Sequence, residues 1–371
     1  MFFNLFREVF FMRSKKLCAA VLAATLSLGI MSASNTTEAA TRAELAQISV
    51  NQKGTNFRYW NKDSASYQAL TNYVKDITNP KSRNFIPVKD RVAVFDLDGT
   101  LICETTPSYF EWMMYLDRAL NDPNFTPKAE DREYAKVVKD AIYKSGIPAD
   151  MERKEAKSQA SVFSGMTLPE YEAYVKKFMQ TPAEGMNNLK RGDSFYLPMV
   201  EVVSYLHANN FKIFVVSGSD RQALRILTDG IMPIDKDNII GTDVWNLASH
   251  QGDTDGLDYL YTKNDELVRG EFTLKDVKMN KVSNIAREIG QQPVLAFGNS
   301  SGDSSMFNYT ITNNKYKALA FSLLCDDTER ELGNPKKAEK MRASCEKYGW
   351  IPVSMRDDFK TIYGDNVTRA K

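Results

Sequence analysis

Val92-Ala93-Val94-Phe95-Asp96-Leu97-Asp98-Gly99-Thr100-Leu101 runs from four consecutive apolar residues straight into two carboxylates spaced by one residue. A short apolar run without alternation predicts a strand buried on both faces, as in a parallel sheet. At the strand tip Asp96 can act as a nucleophile towards phosphorus. Asp98, in the turn that follows, can protonate a leaving oxygen and later activate water. Gly99 allows the tight backbone path that presents both. The plain alternative is a polar strand-to-loop turn without chemistry, and the supporting motifs further along the chain weigh against it.

Similar apolar runs recur at Ile213–Val216, Val294–Phe297, Leu319–Phe321 and Ile351–Val353. Helical patterns lie between them: Met199, Val202, Val203 and Leu206 after Pro198, and Val282, Ile285, Ala286 and Ile289 before Gly290. This alternation predicts an α/β fold, a doubly wound parallel sheet whose ligands bind beyond the carboxyl ends of the strands. Tyr67, Leu70, Tyr73 and Val74 predict a lead-in helix that stops at Asn79-Pro80. From about Cys103 to Leu197 there is no strand signal, only charged helical stretches such as Lys128–Lys144 and Leu168–Met179. An insertion there would stand over the site as a helical cap. The expected organisation is a signal peptide over 1–40, the lead-in and first core strand over 41–101, the cap over 102–197, and the rest of the core over 198–371.

Three further groups suit the same chemistry. Phe214-Val215-Val216-Ser217-Gly218-Ser219 ends a strand in small hydroxyl residues ahead of a helix, so Ser217 and the N–H groups from Gly218 onward can cradle phosphate oxygens. Lys278 and Lys281, three residues apart at a helix start, both offer a cation to neutralise charge gathering in the transition state. Phe297-Gly298-Asn299-Ser300-Ser301-Gly302-Asp303 places a polar loop at another strand end, able to complete an oxygen-rich Mg²⁺ site with Asp96 and Asp98.

Asp-Leu-Asp-Gly-Thr-Leu is the form taken by the first motif of phosphatases in the haloacid-dehalogenase superfamily, which this chain resembles. The resemblance implies a HAD-like Rossmannoid core, an acyl phosphate on Asp96 and Mg²⁺ as cofactor. Carbon–halogen hydrolases of the superfamily lack a carboxylate at the second position, so Asp98 points to phosphoryl transfer. Ser217 matches the second motif. Asn280-Lys281-Val282-Ser283-Asn284-Ile285 resembles a Gly-Lys…Asn-Ile pattern in secreted relatives and favours Lys281 over Lys278. The fourth motif usually has aspartate at both ends; here the first is Asn299, which leaves one fewer negative charge and leaves open whether Asn299 or Asp303 touches the ion. The branch most similar is that of exported bacterial phosphatases of the phosphoserine phosphatase-like group, which includes phosphorylcholine phosphatase. The matching stretches are Arg91 to Glu104, Phe195 to Gly218, Lys281 to Met306, and the tail from Cys325-Asp326-Asp327 through Gly349-Trp350 to Asp357-Asp358-Phe359-Lys360.

Composition narrows the alternatives. Lys plus Arg total 48 against 47 for Asp plus Glu, so no net field draws the 371-residue chain to nucleic acid. The expected partner is a small-molecule phosphate ester. Arg13, Lys15 and Lys16 precede an apolar run from Leu17 to Met31, too short to span a membrane core of ~30 Å comfortably. With the small residues around Thr37-Glu38-Ala39-Ala40 this predicts a signal peptide and a periplasmic or secreted protein. Export permits a disulfide between Cys325 and Cys345, and two unpaired thiols are the other reading. With only His207 and His250 among its histidines, the chain cannot supply a phosphohistidine or dinuclear metal phosphatase. A phosphotransferase using alcohol acceptors, or an inactive phospho-ligand binding protein, would share the same motifs.

The substrate end is less defined. Glu104 lies eight residues after Asp96, with Tyr109, Phe110 and Trp112 close behind. An acidic residue beside aromatic faces can hold a cationic leaving group such as an amino or quaternary ammonium alcohol; packing of a cap helix is the other use of those rings.

Overall fold

Val92–Phe95 forms strand β1, and all four side chains are buried. In the computed structural model, which describes residues 39–146, 148 and 151–370, β1 is the central strand of a seven-stranded sheet. On one side lie β2 (Lys212–Asp220), β3 (Ile239–Ala248) and β4 (Leu267–Leu274). On the other lie β5 (Leu295–Gly298), β6 (Leu319–Leu324) and β7 (Ile351–Ser354). The order is β4-β3-β2-β1-β5-β6-β7, parallel throughout except for the antiparallel pair β3 and β4. Connections leave β1 towards β2 and later return to β5 on its other side. A crevice therefore opens beyond the carboxyl ends of these three strands.

Alternation along each strand feeds two separate cores. Ala93, Phe95, Ile213, Val215, Leu295 and Phe297 face one cluster, and Val92, Val94, Phe214, Val216 and Ala296 face the other. A sheet covered on both faces needs apolar residues at every position, which is why these strands read as continuous runs. Phe297 stacks between Phe95 and Phe321, at centroid distances of 4.4 and 5.0 Å.

Helix α1 (Ala65–Thr78) precedes β1. Four helices follow β1 without an intervening strand: α2 (Phe110–Leu116), α3 (Ala129–Asp140), α4 (Met151–Phe163) and α5 (Leu168–Met179). Thr167 caps α5 reciprocally with Glu170, and Thr167→Ala should cost about 1 kcal/mol of stability in a denaturant melt. The core resumes with α6 (Leu197–Ala208) and continues through α7 (Arg221–Thr228), α8 (Met279–Asn284), α9 (Ser304–Ile311) and α10 (Pro335–Tyr348). The helical insertion docks on the β3–β4 pair. Gly165 N–H donates to Arg269 O at 2.7 Å and Arg269 N–H to Met166 O at 2.8 Å, while the Arg269 side chain meets Asp220 at 2.6 Å.

Two features go beyond the sequence reading. Strands β3 and β4 give no apolar run in the sequence, because β3 is half-exposed beyond its first four residues and their pairing is broken by register shifts. Cys103, Cys325 and Cys345 are all free thiols, Cys345 packing as a small apolar side chain in the second core cluster. The expected signal sequence falls almost wholly outside the described residues. No helix among the described residues is long and apolar enough to cross a membrane.

Candidate active site

A cavity of about 430 Å³ opens at the carboxyl ends of β1, β2 and β5. Asp96, Asp98, Glu104, Ser217, Gly218, Lys281, Asn299 and Asp303 all line it, as does Lys278. Residues spread over two hundred positions of sequence thus converge because each follows or lies close to the end of a strand in one sheet.

Asp96 leaves β1 with its N–H bonded to Phe297 O at 2.9 Å, which ties the start of the turn to β5. The turn closes tightly: Gly99 N–H donates to Ile102 O at 2.7 Å. Gly99 has φ +76°, and a Cβ there would come within 1.8 Å of Asn299 Nδ2. Only glycine fits.

Lys281 is buried between two carboxylates, donating to Asp96 Oδ1 at 2.6 Å and to Asp303 Oδ1 at 2.7 Å. Burial pushes the Asp96 carboxyl up, with Asp303 adding to the push and the Lys281 ammonium opposing it. The same two carboxylates hold Lys281 protonated, above its ordinary value despite burial. Lys278, by contrast, is exposed, sits at φ +55° and enters the loop network through its backbone N–H to Gly302 O at 2.9 Å.

Asp98 Oδ2 accepts from Ser219 Oγ at 2.6 Å, and Oδ1, fully buried, has no partner. Burial raises its pKa to about 7, with Glu111 and Glu104 adding to the rise and Ser219 opposing it. A carboxyl in that state can both give and take a proton near neutrality. Ser217 is 1% exposed; its Oγ accepts from Ser219 N at 3.3 Å, so its proton is free to donate. Asp220 then caps α7 by accepting from Ala223 N at 2.9 Å.

Asp303 is engaged on every side. Beyond Lys281 on Oδ1, its Oδ2 accepts from Asn299 N and Ser300 N, both at 3.0 Å, and from Ser300 Oγ at 3.3 Å. Its work is to shape the loop and hold the lysine. Asn299 points its Nδ2 at Glu104 Oε2, 2.8 Å away, and Glu104 Oε1 is ion-paired to Lys337 of α10.

No three His, Cys, Asp or Glu side chains gather as a metal-binding group among the described residues. Of the four residues considered for Mg²⁺, the Asp98 and Asp303 side chains are directed to Ser219 and Lys281. Asp98 keeps one unpartnered oxygen, Oδ1, which is fully buried; the pair that lines the cavity with a less buried, unengaged side-chain oxygen each is Asp96 and Asn299. Among the described residues neither Asp96 Oδ2 nor Asn299 Oδ1 accepts a hydrogen bond. Hard, unengaged oxygens suit Mg²⁺, which keeps several waters and needs few protein ligands.

The expected cationic pocket is altered. Tyr109 and Trp112 do line the cavity, but Phe110 packs away from it against Phe178, 5.3 Å between centroids. The charge of Glu104 is met inside the protein by Lys337. Lys337, Lys340 and Ser344, on one face of α10, also line the cavity and have no counterpart in the sequence reading. Their spacing of three and four is a helical face, yet in a lysine-rich helix it looks like ordinary solvated surface.

A family model described as haloacid dehalogenase-like hydrolase matches residues 93–308, more than half of the chain. No curated protein matches. Among solved structures, a protein of unknown function from Bordetella pertussis Tohama I is 15% identical with a TM-score of 0.45, covering 71% of this chain and 97% of its own. Cytosolic 5'-nucleotidase IIIB bound to cytidine is 10% identical with a TM-score of 0.46, covering 80% and 86%. A phosphoserine phosphohydrolase-like protein from Francisella tularensis subsp. tularensis SCHU S4 is 14% identical with a TM-score of 0.37, covering 68% and 92%.

Proposed function

Because the chain belongs to the haloacid dehalogenase-like hydrolases, a family that typically uses Mg²⁺, we propose that it is a Mg²⁺-dependent phosphomonoesterase working through Asp96 and Asp98. The observation that carries this reading is the pairing of two differently held carboxyls on one turn. Asp96 is bound to a buried lysine at 2.6 Å, and Asp98 has an unpartnered buried oxygen.

The steps follow from those environments. Phosphate oxygens are held by the Ser217 hydroxyl and the N–H groups from Gly218 onward. Asp96 bonds to phosphorus through one carboxylate oxygen as the ester P–O bond breaks, and the proton on Asp98 passes to the leaving oxygen, releasing the alcohol. Lys281 offsets the negative charge gathering between Asp96 and the phosphoryl group. Asp98, now ionised, takes a proton from water as that water attacks phosphorus, and Asp96 is freed with release of phosphate. Asp96 and Asn299 would hold Mg²⁺, which when bound supplies positive charge against the phosphoryl oxygens.

We further assign the protein to the exported, phosphoserine phosphatase-like branch, on the motif stretches from Arg91 to Glu104 and Lys281 to Met306, with residues 1–40 as its signal peptide and the helices over 102–197 as its cap. Incubating the purified protein with a panel of phosphomonoesters and Mg²⁺ tests the reading. Phosphate release that falls with a chelator and returns with Mg²⁺ is expected; release indifferent to chelation removes the metal, and no release on any ester removes the phosphatase. Alcohol acceptors added to the same assay separate hydrolysis from transfer.

A further inference from the structure

Asn299 stands at the position where an aspartate would add a negative charge to the site, and it is in direct contact with a carboxylate that such an aspartate could not tolerate. Glu104 and Asn299 are 6% and 4% exposed. Both crowd the Cα of Gly99: a Cβ there would meet Asn299 Nδ2 at 1.8 Å and Glu104 Oε2 at 2.8 Å. Lys337 reaches from α10 to the other oxygen of Glu104.

We propose that Glu104 and Lys337 position Asn299, turning its amide so that the oxygen and not the nitrogen is presented to the cation. This rests on the reading of Asp96 and Asn299 as the residues that hold Mg²⁺.

The chemistry of the groups dictates the orientation. An ionised carboxylate only accepts hydrogen bonds, whereas an amide has one donating and one accepting end. The 2.8 Å contact between Asn299 and Glu104 can therefore form only with Nδ2 towards Glu104, which sends Oδ1 the other way. The Lys337 ammonium, which can only donate, takes the other oxygen of Glu104 and leaves Oε2 to the Asn299 amide. Were residue 299 an aspartate, two carboxylates would meet at that distance with no proton between them. Burial would make the repulsion costly, and the packing against Gly99 limits the room for either to withdraw.

The consequence runs against simple charge counting, by which Asn299→Asp should strengthen the cation site. Calorimetric titration with Mg²⁺ alone is to be made on the wild type, Asn299→Asp, Glu104→Gln and the double variant, with phosphate release from an aryl ester measured beside it. Asn299→Asp is expected to weaken Mg²⁺ binding roughly 10- to 100-fold, the range found when a group orienting a metal ligand is disturbed. Adding Glu104→Gln to it should restore most of the loss, since the new amide can donate to the carboxylate introduced at position 299. Lys337→Met, which leaves both partners in place, should weaken Mg²⁺ binding in the same direction and serves as the readout if Asn299→Asp does not fold. Tighter Mg²⁺ binding by Asn299→Asp alone, additive effects in the double variant, an unaffected Lys337→Met, or a wild type that takes up no Mg²⁺ would each overturn the proposal. The two readings fail separately. Restored Mg²⁺ binding in a protein that hydrolyses no ester keeps the positioning unit and removes the phosphatase; additive effects in an active enzyme do the reverse.

Discussion

Asp96→Asn is expected to lower turnover of every phosphomonoester by roughly three or more powers of ten, the scale of losing a covalent nucleophile, while the protein melts as a folded domain. The amide keeps the shape of the carboxylate and can still accept from Lys281, and Lys281 keeps its second partner, Asp303, at 2.7 Å. It cannot form the acyl phosphate. Steady-state assay of the variant beside its thermal melt separates chemistry from folding. If more than a tenth of wild-type activity survived in a cleanly folded variant, Asp96 would not be the nucleophile.

The second large effect is selective. In Asp98→Asn the attacking carboxylate remains, but no acid protonates the leaving oxygen, a contribution worth about 10²- to 10⁴-fold. Alkyl phosphates, whose alkoxides leave poorly, should lose that full factor. Aryl phosphates should lose far less, because their oxygens depart without help. The buried, unpartnered Oδ1 of Asp98 is the structural reason to expect the selectivity. Equal losses on matched alkyl and aryl esters would take the proton-transfer role away from Asp98.

The core of the fold and the residues that converge on the cavity were legible because buried parallel strands write themselves as apolar runs and put the next residue at the site. Val92–Phe95 followed by Asp96, and Leu295–Gly298 followed by Asn299, are two instances of one rule. Strands β3 and β4 escaped because β4 is an edge strand and β3 beside it is partly exposed beyond its first four residues, and because β4 carries Arg269, 1% exposed, and Gly270, which read as loop. The cavity wall from α10 escaped for another reason. Lys337 has its meaning only through Glu104, 233 residues away, and no local pattern announces a pairing at that distance. Cys325 and Cys345 illustrate the limit from the other side, since spacing shows that two thiols exist and not that they meet.

The buried polar contacts between the helical insertion and the sheet bear on how substrate gets in and product gets out. Lys275 donates to Glu111 of α2 at 3.0 Å, Glu111 accepts from Asp220 N at 2.6 Å, and Arg269 binds Asp220 beneath Tyr171 of α5, which donates to the same carboxylate at 3.1 Å. Lifting the helices off the sheet would part Lys275 from Glu111 and Tyr171 from Asp220, at about 3–5 kcal/mol for the buried ion pair. Such a roof is riveted on this flank. The exposed Lys278 and Lys340 line the same cavity, and on the proposed reading the room they leave, more than the reactivity of Asp96, would set how bulky an ester can enter.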